Sequence, residues 1–434
     1  MRNKWILLMA LLGSAQQLWG QEKLPLNTAV EIALEKNFDI RIAQNNAAIA
    51  RNNHSFGEAG MLPGVMLSSE SAGSRNNVRQ EFINGNVLEN PSADQQSLNT
   101  NVMLNWTIFD GMAMFTNYRR LGELEKMGEL QARAAIEQVV ADLTMTYYEV
   151  VQRRQQLFLA EKSLSISAER MQLADERYQL GSSSRLEYLQ ARVDYNADRS
   201  LYLSQSELYS LSKIELNKLL GRDALIDFEP TDSLPITQPV DFDLIRRKAE
   251  NDNAWLQMAG LNKQVAELNR KLANQAMMPR IDLMGGYHVN RLESEAGFLA
   301  RNQNRGLDFG LRASVNIFDG FRQQRQRQQS RIMSMNADLE MAKQEQEVLA
   351  GISATYTAFE NNRILVEMEA ENLEVARQNL EIAQERYRLG ALPAIELREA
   401  QRQLVSAESR LIQARFLLMV NRTELLRLSG QLLD

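Results

Sequence analysis

Leu98-Asn-Thr-Asn-Val-Met-Leu-Asn-Trp-Thr-Ile-Phe-Asp-Gly111 alternates apolar and polar residues, and so does Leu307-Asp-Phe-Gly-Leu-Arg-Ala-Ser-Val-Asn-Ile-Phe-Asp-Gly320. Each stretch places Leu, Val, Trp, Phe or Ile on one side of an extended chain and mostly polar residues on the other. That is period two over about 11 residues, the length a tilted strand needs to cross a bilayer. The two stretches are related by a shift of 209 positions. The same shift lays Glu176-Arg177-Tyr178 on Glu385-Arg386-Tyr387, Leu180-Gly181 on Leu389-Gly390, and Gly221 on Gly430. Upstream the shift is 216, which lays Ala33, Asn37, Ala43 and Pro63 on Ala249, Asn253, Ala259 and Pro279. The chain is therefore an internal duplication. The 7-residue difference falls between Pro63 and Ile108, in a region read as loop.

Outward from the strands lie proline-free stretches with helical periodicity. Leu143, Val150, Leu157, Leu164, Met171 and Tyr178 recur at every seventh position, matched by Ile352, Phe359, Val366, Leu373, Leu380 and Tyr387. Beyond the glycines, Tyr188, Tyr195, Tyr202, Tyr209 and Leu216 form a third series, and Leu397, Leu404, Leu411, Leu418 and Leu425 a fourth. Sustained heptads predict long packed helices. The seventh-residue tyrosines are read as helix packing. A helix over 112–180 would be about 100 Å long, far more than a globular domain needs. Asp110 and Asp319, between strand and helix, read as N-caps. Pro63 and Pro279 close the first helix of each half. Pro393 is read as a first-turn proline. Weaker strands follow at Val65–Ser71 and Ile281–Val289, with polar loops over 76–97 and 291–305.

Composition narrows the function classes. The 55 acidic and 49 basic residues give a net charge of −6, which argues against a nucleic-acid partner. The absence of cysteine removes disulfides, thiolate chemistry and an acylated N-terminal Cys. With two histidines, His54 and His288, no His-rich metal centre is expected, and neither is read as a ligand. No cofactor is expected. Arg2 and Lys4 before the apolar run Trp5–Gly13 read as a secretory signal peptide over 1–20. Four strands cannot close a barrel alone, and open edges in lipid are costly, so the strands must close with further copies. Two or three copies both satisfy that argument.

These features together resemble the TolC family of outer-membrane efflux proteins. The resemblance is carried by Leu24-x-Leu-x-x-Ala-Val-x-x-Ala-Leu-x-x-Asn37, by Leu62-Pro63, by Arg-Tyr-x-Leu-Gly at 177–181 and 386–390, and by Leu-Leu-Gly at 219–221. It implies an α+β membrane protein of the Gram-negative outer membrane, a homotrimer. Long antiparallel α-helical coiled-coil hairpins would form a periplasmic tube, and four transmembrane β-strands per chain would contribute to a twelve-stranded barrel. The division is a first repeat over 21–221 (β-hairpin about 64–109, helical hairpin 112–221), a Pro-rich linker over 222–240, and a second repeat over 241–434 (β-hairpin about 280–318, helical hairpin 320–430). The implied function is the exit duct of a tripartite efflux or type I secretion system. The duct would be a passive, non-enzymatic conduit served by a periplasmic adaptor (membrane fusion protein) and an inner-membrane pump of RND or ABC type. A periplasmic coiled-coil adaptor or structural protein is the alternative.

The resemblance also implies sites. Arg177, Tyr178, Leu180 and Gly181, with Arg386, Tyr387, Leu389 and Gly390, would be adaptor-docking tips. Glu396 and Glu399 would line the channel constriction, with Glu187 as the equivalent in the first hairpin. Their i, i+3 spacing places Glu396 and Glu399 on one helix face. Three copies would make two rings of carboxylates that bind cations and repel anions. Leu392 stands where the family carries a basic partner, so an inter-helix lock at that position is not expected. The arginines of 322–331, at the head of the second long helix, are read as a solvated face or a contact with outer-membrane lipid.

Overall fold

The structure, a computed structural model, describes residues 22–234, 239–296 and 299–433. The signal peptide read over 1–20 and part of the linker lie outside the described residues. The elements run β1 (Glu22–Leu24), α1 (Leu26–Lys36), α2 (Phe38–Asn53), β2 (Gly64–Glu81), β3 (Val87–Phe109), α3 (Ala113–Gln179) and α4 (Arg185–Leu219). They continue with β4 (Phe228–Pro230), α5 (Phe242–Asp252), α6 (Ala254–Gln275), β5 (Arg280–Ser294), β6 (Arg301–Ser314), α7 (Arg322–Arg388) and α8 (Ala394–Leu428). The order of elements after β1 repeats after β4, as the duplication requires. Both long helices hold 67 residues and both return helices hold 35. No helix among the described residues is long and apolar enough to cross a membrane.

Contacts divide the chain into two compact units, each drawing on both repeats. The first unit comprises 22–44, 132–256 and 345–433 of the described residues. Its cores are equivalent in the two repeats. Leu143, Tyr147 and Val150 of α3 pack with Leu216 and Leu220 and with Ala29 and Ala33. Ile352 and Phe359 of α7 pack with Leu418, Leu425, Ile245 and Ala249. Each large side chain fully buried in this way stabilises by roughly 1.5–3 kcal/mol. The heptad residues of α8 are mostly buried, whereas the tyrosines of α4 are half-buried. Tyr147 joins the start of the chain to the linker. Its hydroxyl lies 2.8 Å from the Leu24 carbonyl and donates to Asp232 Oδ2 at 2.6 Å, and burial pushes the phenol's pKa upward. The linker is not featureless, since β4 within it pairs in parallel with β1.

The first helix of each repeat is broken, where one helix ending at the proline was expected. Asn37 and Asn253 are buried and extended between α1 and α2 and between α5 and α6. Asn37 Oδ1 accepts from the amides of Asp39 and Ile40 at 2.8 and 3.1 Å, and Asn253 Oδ1 from that of Leu256 at 3.0 Å. Their amide nitrogens donate to the carbonyls of Leu219 and Leu428, each at 2.8 Å. Each asparagine thus starts the second helix and ties down the end of a distant one. Gly221 and Gly430, at φ of +66° and +72°, end those distant helices. A Cβ on them would come within 2.6 Å of Lys36 O and 2.5 Å of Asp252 O, so only glycine fits. α2 ends at Asn53 and α6 at Gln275, before the prolines expected to close them.

The second unit, 45–131 and 257–344, holds a four-stranded antiparallel sheet in the order β2-β3-β5-β6. β2 pairs with β3 from Gly64↔Asn105 to Glu81↔Val87, and β5 with β6 from Arg280↔Ser314 to Glu293↔Arg301. The regions expected as loops, 76–97 and 291–305, are largely strand. The turn of the first hairpin is Asn84-Gly85, with Gly85 at φ +82° and its amide bonded to Phe82 O at 2.9 Å. The hydrogen-bonded ladder outlasts the apolar alternation because backbone pairing does not depend on apolar side chains. The 7-residue difference between repeats is absorbed by strand: β2 and β3 hold 18 and 23 residues, β5 and β6 hold 15 and 14. β6 stops at Ser314, short of the alternation's end at Ile317. Register places Val65, Leu67, Val102, Trp106, Tyr287, Leu307, Phe309 and Leu311 on one face, all exposed in the single chain. Asn99, Asn101, His288, Asn290, Asp308 and Arg312 share the other.

Candidate functional site

The hairpin ends of the first unit gather the site residues expected from sequence. α3 ends in a Schellman turn: the Ser182 amide bonds Arg177 O at 2.9 Å and the Gly181 amide bonds Tyr178 O at 3.0 Å. α7 ends identically, Ala391 to Arg386 O at 2.9 Å and Gly390 to Tyr387 O at 3.0 Å. Gly181 and Gly390 both sit at φ +73°, the left-handed conformation this turn demands. Leu180 and Leu389 are strongly exposed, and Arg386 is exposed beside them. Tyr178 stacks on Tyr188 across its own hairpin, ring centroids 6.3 Å apart. Arg177 crosses to the other hairpin, donating to Tyr387 Oη at 3.2 Å with its guanidinium 5.2 Å from the ring. Burial pushes the Tyr387 phenol upward in pKa, with Arg177 pulling it down and Glu187 pushing it up.

The three carboxylates have separate settings. Glu187 lies in the first turn of α4. Its amide donates to Ser184 Oγ at 3.2 Å, and Ser183 Oγ donates to its Oε2 at 2.5 Å. This is close to a capping box, so Glu187 also helps to start the helix. Glu396 holds the same place in α8, where Pro393 is the N-cap rather than a first-turn residue. Glu396 and Glu399 are both exposed, and Leu397 and Ala400 between and beside them are buried. The pair therefore faces away from its own hairpin, with Glu396 in the first turn of α8.

Arg398, between the two glutamates, makes a contact that the sequence reading did not anticipate. Its guanidinium grips Asp198 of α4 bidentately, both bonds at 2.8 Å, and its Nε lies 3.8 Å from Asp194. Asp194 in turn pairs with Arg170 of α3. Arg170, Asp194, Asp198 and Arg398 thus join three helices across both hairpins. An inter-helix link exists here although Leu392 is apolar. The signal lay in the duplication: the 209-residue counterparts are Asn379, Gln403, Ala407 and Leu189, all uncharged. At the first two of these the second hairpin uses an amide pair instead, Asn379 to Gln403 at 3.4 Å. Among the described residues no three His, Asp or Glu side chains converge as a metal site would require. Arginine grips, exposed carboxylates and glycine turns can order helices and place charge.

Comparison with known proteins agrees with this architecture. The pattern of the family described as "Outer membrane efflux protein" matches residues 29–222 and 245–431. The probable efflux pump outer membrane protein TtgC of Pseudomonas putida is 25% identical over 437 residues, spanning 96% of this chain and 85% of that protein. Nodulation protein T of Rhizobium leguminosarum bv. trifolii is 22% identical over 415 residues, 90% of this chain and 82% of that protein. The crystal structure of the outer membrane protein VceC of Vibrio cholerae superposes with a TM-score of 0.73 at 16% identity, covering 93% of this chain and 96% of that one. The chain belongs to the outer membrane efflux protein family and is an outer-membrane channel for efflux or secretion.

Proposed function

We propose that the working channel is a homotrimer whose three sheets close into a twelve-stranded barrel in the outer membrane of a Gram-negative bacterium. The helical hairpins then extend into the periplasm as a tube. The protein is the passive exit duct of a tripartite efflux or type I secretion system. The tips at Arg177–Gly181 and Arg386–Gly390 meet a periplasmic adaptor, which links the duct to an inner-membrane RND or ABC pump. Glu396 and Glu399 line the constriction, Glu187 stands nearby, and the Arg398–Asp198 grip holds their helix in place.

One observation carries the reading. The four-stranded sheet has two open edges, β2 and β6, and a face of exposed Val, Leu, Trp and Phe. Lipid can cover that face, but it cannot satisfy open backbone edges, each of whose groups costs several kcal/mol in hydrocarbon. Only further copies of the chain pair the edges. The mass of the detergent-extracted protein tests this. Three copies are expected with no folded monomer, and a stable monomer that keeps its strand content would remove the barrel.

A further inference from the structure

The apolar face of the sheet does not end with β6. Beyond Ser314 the chain stays apolar and exposed, with Val315, Ile317 and Phe318 at 54%, 93% and 71%. The chain then turns through Asp319-Gly320-Phe321 into α7. Phe321, 62% exposed, sits at φ +64°, a left-handed conformation that large L side chains seldom adopt. Its ring meets that of Phe318 edge-on, centroids 5.3 Å apart. The equivalent Met112 is also left-handed and exposed, so both repeats turn a large apolar side chain outward here.

One residue later the chemistry inverts. Arg322, Arg325, Arg327 and Arg331 follow, and no acidic residue occurs from Gly320 to Ala337. Arg327 is engaged, donating to Asn274 Oδ1 at 2.8 Å. Arg322 is 77% exposed with Asp319 3.6 Å away, and that carboxylate is occupied capping α7. Arg325 is exposed, and its guanidinium has no ion pair or hydrogen bond among the described residues. Arg322 and Arg325, three apart, share a helix face within about 6 Å of the Phe pair along the axis. The fold does not demand this charge, since the first repeat has Ala113, Thr116, Tyr118 and Gly122 in the equivalent places.

We infer that Phe318, Phe321, Arg322 and Arg325 form a docking surface for anionic phospholipid, in the bilayer leaflet on the side where the helices begin. The inference rests on the membrane-channel reading. The exposed rings prolong the apolar end of the strand toward the acyl–headgroup boundary. The guanidiniums, whose stems can lie along apolar surface, reach phosphate with a fork that matches its oxygens. The order along the chain, apolar strand, aromatic pair, then a run of arginines, is that of a bilayer read from core to headgroup. A soluble acidic partner would account for the arginines but not for the continuity of the rings with the sheet.

The test uses the full-length protein in mild detergent, titrated with dioleoyl phosphatidylglycerol or dioleoyl phosphatidylcholine and read by native mass spectrometry. The parent should retain phosphatidylglycerol preferentially. Arg322→Gln with Arg325→Gln should weaken that retention by roughly fivefold per arginine, leaving phosphatidylcholine adducts unchanged. Arg246→Gln with Lys248→Gln on α5 should keep the parent's preference. Phe321→Gly, which keeps the arginines and relieves the backbone, should lower retention of both lipids equally. The inference falls if the parent shows no preference, if the double arginine variant keeps it, or if soluble glycerol phosphate at millimolar concentration abolishes it. Failure of the channel reading itself would look different: the parent would not assemble or insert into liposomes at all.

Discussion

At the scale of single residues, Asn37 and Asn253 do the same work with almost no redundancy. Each side chain accepts from backbone amides on one side and donates to a carbonyl on the other, in a buried place where water cannot substitute. Asn37→Ala removes the cap and leaves Leu219 O without its partner, at a cost of about 1–3 kcal/mol. Asn253→Ala should cost a similar amount, because the Leu428 contact has the same 2.8 Å length. Asn37→Asp should do worse than an ordinary cap replacement, since it keeps the acceptor but turns a carboxylate toward the Leu219 carbonyl. Thermal unfolding of the purified protein checks the order. If Asp at 37 matches the parent, the donated bond to Leu219 contributes nothing.

At the scale of elements, the two helical hairpins share a backbone and differ in how they are tied. Glu369 of α7 is buried and accepts from Arg410 of α8 at 2.9 Å, and the first hairpin has Ala160 and Leu201 in those places. The Arg410 hydrogen bond holds the Glu369 carboxyl below its usual range against the opposing effect of burial, helped by Asn372. A depressed carboxyl pKa stabilises the fold above the ordinary value near 4.5 and loses that contribution as pH falls through the depressed value. Glu369→Gln should therefore lower stability at neutral pH by on the order of 1 kcal/mol, with the gap to the parent closing in acid. A gap that stays constant from pH 7 to pH 3 would mean that the carboxylate charge is not what ties the hairpin. Much of this level was legible in advance: heptads gave the long helices within a residue or two, and alternation gave the apolar part of the strands. The helix breaks were not, because Asn37 and Asn253 act through carbonyls 182 and 175 positions away. The long first β-hairpin was legible in principle, since Asn84-Gly85 is a strong turn dipeptide, but the polar residues around it carry no alternation. The Arg398 grip escaped because charge at a half-buried position reads as surface until its partner is known.

At the scale of the whole assembly, the proposed constriction would be a property of three chains. Glu396 and Glu399 are exposed in one chain and face away from its hairpin. In the proposed trimer they place six carboxylates about one axis. At neutral pH such rings favour cations, repel anions and offer multivalent cations a blocking site. Glu396→Gln with Glu399→Gln keeps size and polarity and removes all six charges. Single-channel recordings in planar bilayers should then show weaker cation preference and weaker block by divalent or trivalent metal, with a smaller effect from Glu187→Gln because Glu187 is partly engaged by Ser183. An unchanged selectivity would return the pair to the role of a solvated helix face. The hairpin ends carry one more consequence, for stoichiometry. Gly181 and Gly390 share the same φ and the same Schellman turn, while the residues after them are Ser182-Ser183-Ser184 in one and Ala391-Leu392-Pro393 in the other. Three chains would thus present six near-equal backbone turns but only three of each side-chain kind. A partner that grips the turns themselves could occupy all six, whereas one that reads the side chains must stop at three.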